Sequence, residues 1–150
     1  MTEAMTALMA DRRSAKHERR IAATLVRDAW RSAASPDAAP RLVLNTCTTC
    51  DLTCERRPTV QALEHLLRDA SGYAGENGTI AVTGTRRAGR RSVEIKAGRG
   101  ADGSLGPAAA KNAGLRVILA RLLLEMQGAT LTVTANDAAW TARIEFPGSA

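Results

Sequence analysis

Gln61-Ala62-Leu63-Glu64-His65-Leu66-Leu67-Arg68-Asp69-Ala70-Ser71-Gly72-Tyr73-Ala74 is the stretch on which the fold turns. Val60, Leu63, Leu66, Leu67 and Ala70 recur at intervals of three and four, the period that gathers them on one face of an α-helix. Pro58 suits the first turn, where its missing N–H costs nothing, and Gly72 is expected to stop the run. A helix this apolar on one side must cover something, and the sequence on either side supplies strands for a sheet.

Upstream, Arg41-Leu42-Val43-Leu44-Asn45-Thr46-Cys47-Thr48 is apolar and β-branched and is expected to form a strand running on toward Cys54. Downstream, the turn Gly75-Glu76-Asn77-Gly78 leads into Thr79–Thr83 and Ser92–Lys96, two alternating strands joined by a tip that carries Arg86, Arg87, Arg90 and Arg91. Residues 97–107 hold four glycines and no periodicity, which predicts a mobile loop. Residues 108–127 then read as a second long helix, with Leu115, Ile118, Leu119, Leu122 and Met126 as its buried stripe. Two last strands, at 130–135 and 140–146, turn through Asn136-Asp137 and stop at Pro147. The implied fold class is α/β: a two-layer α/β sandwich with a largely antiparallel sheet.

The beginning differs in kind. Residues 5–34 lack Gly and Pro and favour a helix, with Ile21, Leu25, Val26 and Ala29 on one face and Arg12, Arg13, Lys16, Arg19 and Arg20 as a basic block. Two prolines in Ser35-Pro36-Asp37-Ala38-Ala39-Pro40 end it. The domain expectation is therefore an N-terminal helical segment at 1–35, a linker at 36–40 and one domain at 41–150.

With 150 residues, 45% hydrophobic and 24% charged, the chain has the composition of one ordinary globular domain with an appendage, which excludes collagen, disulfide miniproteins and wholly disordered tails. Its longest apolar run, Val117 to Leu124, is broken by Arg121 and falls short of the ~20 residues a membrane span needs. No basic flank and apolar core mark a secretory signal, so a cytoplasmic protein is expected. The net charge of +6 attracts anions in general. One Tyr and one Phe leave little for base stacking, so nucleic acid, gripped by the arginine turn, is the third-ranked partner.

Cys47, Cys50 and Cys54 offer thiols at spacings of three and four, compatible with zinc or an iron–sulfur cluster, with His65 as a fourth ligand. No second Cys-x-x-Cys is present, and Cys47 and Cys50 would point to opposite faces of a strand. Ordinary reduced cysteines are the preferred reading.

The stretch from Gln61 to Ala74 resembles Q-x-L-x-N-L-L-x-N-A-x-K-Y-T, the first helix of the ATP-binding domain of sensor histidine kinases, whose superfamily includes gyrase, Hsp90 and MutL. Gly114-Leu115-Arg116-Val117-Ile118-Leu119-Ala120-Arg121-Leu122-Leu123-Leu124-Glu125-Met126-Gln127-Gly128-Ala129 resembles that family's G-L-G-L-A-I-A-R-R-L-V-E-L-x-G-G. Trp140 to Pro147 resembles its closing strand, and Ile21 to Trp30 resembles the start of the domain just after the dimerisation helices. Ser14-Ala15-Lys16-His17-Glu18-Arg19-Arg20 is similar to the phosphoacceptor S-x-x-H-E-x-R, without its Thr-Pro continuation.

The resemblance implies an ATP and Mg²⁺ site built from the positions of His65, Asp69, Tyr73, Ala97, Gly98, Gly100, Gly114 and Arg116. It also implies where that site departs from its pattern. The family's Mg²⁺-binding asparagine is Asp69 here, which could still ligate Mg²⁺ but adds negative charge beside a triphosphate. The aspartate that reads the adenine amino group is Ala97, which has no acceptor, with the glycines at 98 and 100 shifted by one residue. The second glycine of the phosphate turn is Arg116, which either clamps a phosphate or fills the pocket, and its length favours filling. Three contacts each weakened by about 1.4 kcal/mol lower affinity about a thousandfold.

The resemblance thus points to a degenerate ATP-binding domain, a pseudokinase-like regulatory or docking module of bacterial two-component signalling. Its partner would be a response regulator or a kinase, with a homodimer through the N-terminal helix as a further arrangement. An active histidine kinase catalytic domain is the alternative.

Overall fold

A computed structural model describes residues 17–33, 40–45, 51–75, 77–87, 89–98, 113–136 and 139–147. The elements are β1 (His17–Ile21), α1 (Ala22–Ala33), β2 (Arg41–Leu44), β3 (Asp51–Glu55), α2 (Arg56–Ala74), β4 (Thr79–Arg87), β5 (Arg90–Gly98), α3 (Ala113–Glu125), β6 (Thr130–Ala135) and β7 (Trp140–Phe146). Five strands form one sheet in the order β2-β4-β5-β7-β6, and β1 with β3 forms a separate antiparallel pair. Only β2 and β4 run parallel in the large sheet; the other pairings are antiparallel. Helices pack on one side of this sheet, giving the expected α/β sandwich.

Alternation along the strands decides which side is covered. Ile80 and Val82 of β4, Val93, Ile95 and Ala97 of β5, and Ala142, Ile144 and Phe146 of β7 point into the core. Thr83, Ser92, Glu94 and Arg143 take the opposite face, on which no helix packs among the described residues. On the helix side α2 contributes Leu63, Leu66, Leu67 and Ala70 of the expected stripe, all buried, with Ala62 buried beside them and Val60 only partly buried. Ala22, Leu25, Val26 and Ala29 of α1 join the same core. Arg56 of α2 binds Asp28 of α1 at 3.1 Å, and Arg68 donates to the Ser32 carbonyl at 3.1 Å.

Several expectations are corrected. Residues 17–21, read as helix, form β1, because Asp51–Glu55 offers their backbone an antiparallel ladder that overrides a weak helical preference. Ile21, expected on the buried face, is 49% exposed, and Ala22 takes that place. The remainder of the expected helix, residues 5–16 and 34, and linker residues 35–39 lie outside the described residues.

The long strand from Arg41 is two strands in two sheets: β2 ends at Leu44, and β3 pairs with β1. Helix α2 runs through Gly72 and stops at Gly75, whose φ of 73° a glycine adopts without strain and whose N–H donates to the Ser71 carbonyl at 2.9 Å. The central hairpin is longer than its alternating apolar part, since the ladder continues to Arg86↔Arg91 and Arg87↔Arg90 at one end and Thr79↔Gly98 at the other. Residues 97 and 98, expected in the loop, are therefore strand; 99–112 are outside the described residues.

Helix α3 carries the largest correction. Leu115, Ile118, Leu119, Leu122 and Met126, expected to be buried, are its exposed face. Ala120 and Leu124 are fully buried instead, flanked by partly buried Val117 and Leu123, because α2 and β6 lie on that side.

Candidate functional site

The positions that the sequence marks for a nucleotide come from three elements: His65, Asp69 and Tyr73 on successive turns of α2, Ala97 and Gly98 at the end of β5, and Gly114 and Arg116 in the first turns of α3. Successive residues four apart share one side of α2. Packing of α2 against α3 then brings Asp69 opposite Arg116, 47 residues on.

The guanidinium Nη1 of Arg116 donates to Asp69 Oδ1 at 3.1 Å, with side-chain exposures of 26% and 2%. The second carboxylate oxygen, Oδ2, is buried and has no hydrogen-bond partner among the described residues. Burial pushes the Asp69 carboxyl up to about 6, even though the hydrogen bond and charge of Arg116 pull the other way. One turn earlier, burial lowers the His65 imidazole from its ordinary value; Glu64 opposes that shift, and Arg68 and Arg116 add to it. Tyr73 is buried and its hydroxyl donates to the Asn136 carbonyl at 2.5 Å, which ties α2 to the turn between β6 and β7.

Ala97 is fully buried, paired in register with Ile80 on one side and Trp140 on the other. The position at which the resemblance implies an adenine acceptor is thus apolar core. Neither Gly98 nor Gly114 has any neighbour within 4 Å of where a Cβ would stand, so nothing among the described residues demands glycine at either. Gly100 and Arg99 fall outside the described residues.

A bridging Mg²⁺ does not fit this arrangement. Asp69 Oδ1 already faces a guanidinium cation, and Oδ2 is closed off from the solvent through which a hydrated ion would arrive. Among the described residues no cluster of three or more His, Cys, Asp or Glu is placed to hold a metal. Cys54 is buried in β3 with its thiol pushed up, chiefly by burial, which disfavours the thiolate a metal needs. Cys47 and Cys50 are outside the described residues. A hollow of about 390 Å³ lined by Thr83, Thr85, Arg86, Ser92, Glu94 and Arg143 opens on the helix-free face and contains none of the expected nucleotide positions.

Two supporting residues escaped sequence reasoning. Gln127 accepts from the Glu55 N–H at 2.7 Å and donates to Thr59 Oγ1 at 2.9 Å, joining the end of α3 to the start of α2. Asn136 receives Tyr73 through its backbone, which no side-chain pattern can announce. No helix among the described residues is long and apolar enough to cross a membrane.

No protein-family model and no curated protein sequence matches the chain. Solved structures do. The histidine kinase AdeS of Acinetobacter baumannii is 14% identical with a TM-score of 0.70, over 89% of this chain and 68% of that one. The mycobacterial sensor histidine kinase MprB is 13% identical with a TM-score of 0.69, over 88% and 97%. The histidine kinase domain of the Escherichia coli osmosensor EnvZ is 11% identical with a TM-score of 0.62, over 90% and 91%. The chain has the histidine kinase ATPase-like fold.

Proposed function

We propose that this chain is a histidine kinase-like ATP-binding domain that has given up its nucleotide and serves as a regulatory or docking module in bacterial two-component signalling, with a response regulator or a kinase as partner. Residues 41–150 would form the ATPase-like unit, preceded by the 1–35 segment and the linker at 36–40, in a cytoplasmic protein. The observation that carries the reading is the ion pair between Arg116 and Asp69 at 3.1 Å. It sets a protein cation against the carboxylate that stands at the Mg²⁺ position of the resembled family. The buried Ala97, with no acceptor to offer an adenine, adds to it.

Calorimetric titration with MgATP tests this directly. No saturable binding up to about 1 mM is expected, and a micromolar dissociation constant would sink the reading. Transfer of γ-phosphate to a histidine-containing partner would establish the active kinase instead. Pairing Asp69→Asn with Arg116→Gly removes both obstructions and is expected to raise nucleotide affinity at least tenfold.

A further inference from the structure

On the sheet face against which no helix packs among the described residues, charged and hydroxyl groups are laid out in rows. Thr83, Glu94 and Arg143 stand in register across β4, β5 and β7. Thr85 and Ser92 form the next row toward the hairpin end, their hydroxyl oxygens 2.5 Å apart. Arg86 follows Thr85 and is exposed. These six residues line the hollow of about 390 Å³, a volume within the ~300–1,000 Å³ range of small-molecule sites.

Three features of the hollow specify a ligand. Its lining is polar throughout, so it offers nothing on which a nucleobase could stack or a lipid chain could be buried. Its charges are uncompensated: among the described residues neither Arg86 nor Glu94 has an ion-pair partner, although both line the same hollow. Arg143 Nε lies 3.5 Å from a Glu145 carboxylate oxygen, with the two side chains 52% and 41% exposed. Such a pair contributes little and occupies one corner of a guanidinium that has five N–H donors. The third feature is order. Glu94 and Arg143 are cross-strand neighbours, with backbones ~5 Å apart, whereas Arg86 lies beyond the row of Thr85 and Ser92.

We propose that this hollow binds an acidic α-amino acid, with L-glutamate as the best fit. Its ammonium meets Glu94, its α-carboxylate meets Arg143 and its side-chain carboxylate meets Arg86. The match is charge by charge, two guanidiniums and a carboxylate against two carboxylates and an ammonium. The ammonium and α-carboxylate share one carbon and need partners side by side, which the register of Glu94 and Arg143 supplies. The remote carboxylate needs a partner further along the sheet, where Arg86 stands. Between them the hydroxyls of Thr83, Thr85 and Ser92 can donate to the carboxylates or accept from the ammonium. Inorganic phosphate or a plain dicarboxylate satisfies the arginines but sets an anion against Glu94, which selects against both. The hollow contains none of the expected nucleotide positions, so the proposal stands whether or not MgATP binds elsewhere.

The test is calorimetric titration of the full chain at low ionic strength with L-glutamate, with glutarate, which lacks the ammonium, and with inorganic phosphate. L-Glutamate is expected to saturate one site with a dissociation constant below about 1 mM, and glutarate and phosphate to bind at least about tenfold more weakly. Glu94→Gln should weaken L-glutamate about tenfold and bring it level with glutarate, whereas Arg143→Gln should weaken both. Both side chains lie off the core, so the thermal midpoint of each variant should stay near that of the parent chain. Absence of saturation by L-glutamate up to about 10 mM, glutarate or phosphate binding as tightly as L-glutamate, or a Glu94→Gln variant that keeps the preference for L-glutamate would each overturn the proposal.

Discussion

Asp69 is an ionisable group that folding makes harder to ionise. Its carboxyl titrates near 6 in the folded chain, because burial outweighs the help of Arg116. The folded state thus holds this proton more tightly than the unfolded chain does. The stability it contributes is complete below about pH 4 and is lost as the pH rises through 6, about 3 kcal/mol for a shift of roughly two units. Asp69→Asn should flatten the fall in urea-unfolding free energy between pH 4 and 7 and leave the remaining profile unchanged. Ala97 supports a second prediction at the same scale. Ala97→Asp, which reinstates the acceptor of the resembled family, places a carboxylate between Ile80 and Trp140 and should cost about 3–5 kcal/mol in denaturant unfolding. The substitutions at 69, 97 and 116 are visible in the sequence. That two of them bind each other and the third is sealed in the core is not, since the contacts come from residues 17 to 47 positions away in the chain.

Helix α2 shows how far a single element can be read from its own residues. Its apolar spacing names the buried face, because only one face is apolar. Helix α3 has apolar residues on both sides, so periodicity offers two answers, and the sequence reading took the wrong one. Leu124→Ala, on the side packed against α2 and β6, should cost about 2–5 kcal/mol through the cavity it leaves. Ile118→Ala, on the opposite side, should cost about 1 kcal/mol or less. Equal losses would mean that the helix is rotated from the orientation described. Gly78 marks an element boundary that tolerates no side chain. A Cβ there would come within 2.2 Å of the Ala74 carbonyl oxygen and 2.6 Å of the Gly98 carbonyl, both rigid backbone atoms. Gly78→Ala should therefore lower the thermal midpoint more than Gly98→Ala, where the space is open.

At the scale of the molecule, the sheet order places β5 between two long antiparallel partners and leaves β2 and β6 at the edges. Strand β2 holds four residues and a single neighbour. Amide exchange should be slowest in β5, where both backbone edges are paired over seven residues or more, and fastest in β2 among the strands of this sheet. Uniform protection across the five strands would contradict that order.

What the sequence determined by itself is the order of α2, β4, β5, α3, β6 and β7 and the mostly antiparallel character of the large sheet, because period-two and period-3.6 patterns are local consequences of burying one side of a strand or helix. It also carries the resemblance by which Ala97, Asp69 and Arg116 are read as departures at adenine, Mg²⁺ and phosphate positions, because a missing acceptor or an added guanidinium is a matter of residue identity. Tertiary structure alone decided that His17–Ile21 is a strand, which side of α3 is covered, and that Arg116 lies against Asp69. Each of these depends on which distant segment arrives as a neighbour, and free energy of burial or pairing is set by the neighbour as much as by the residue.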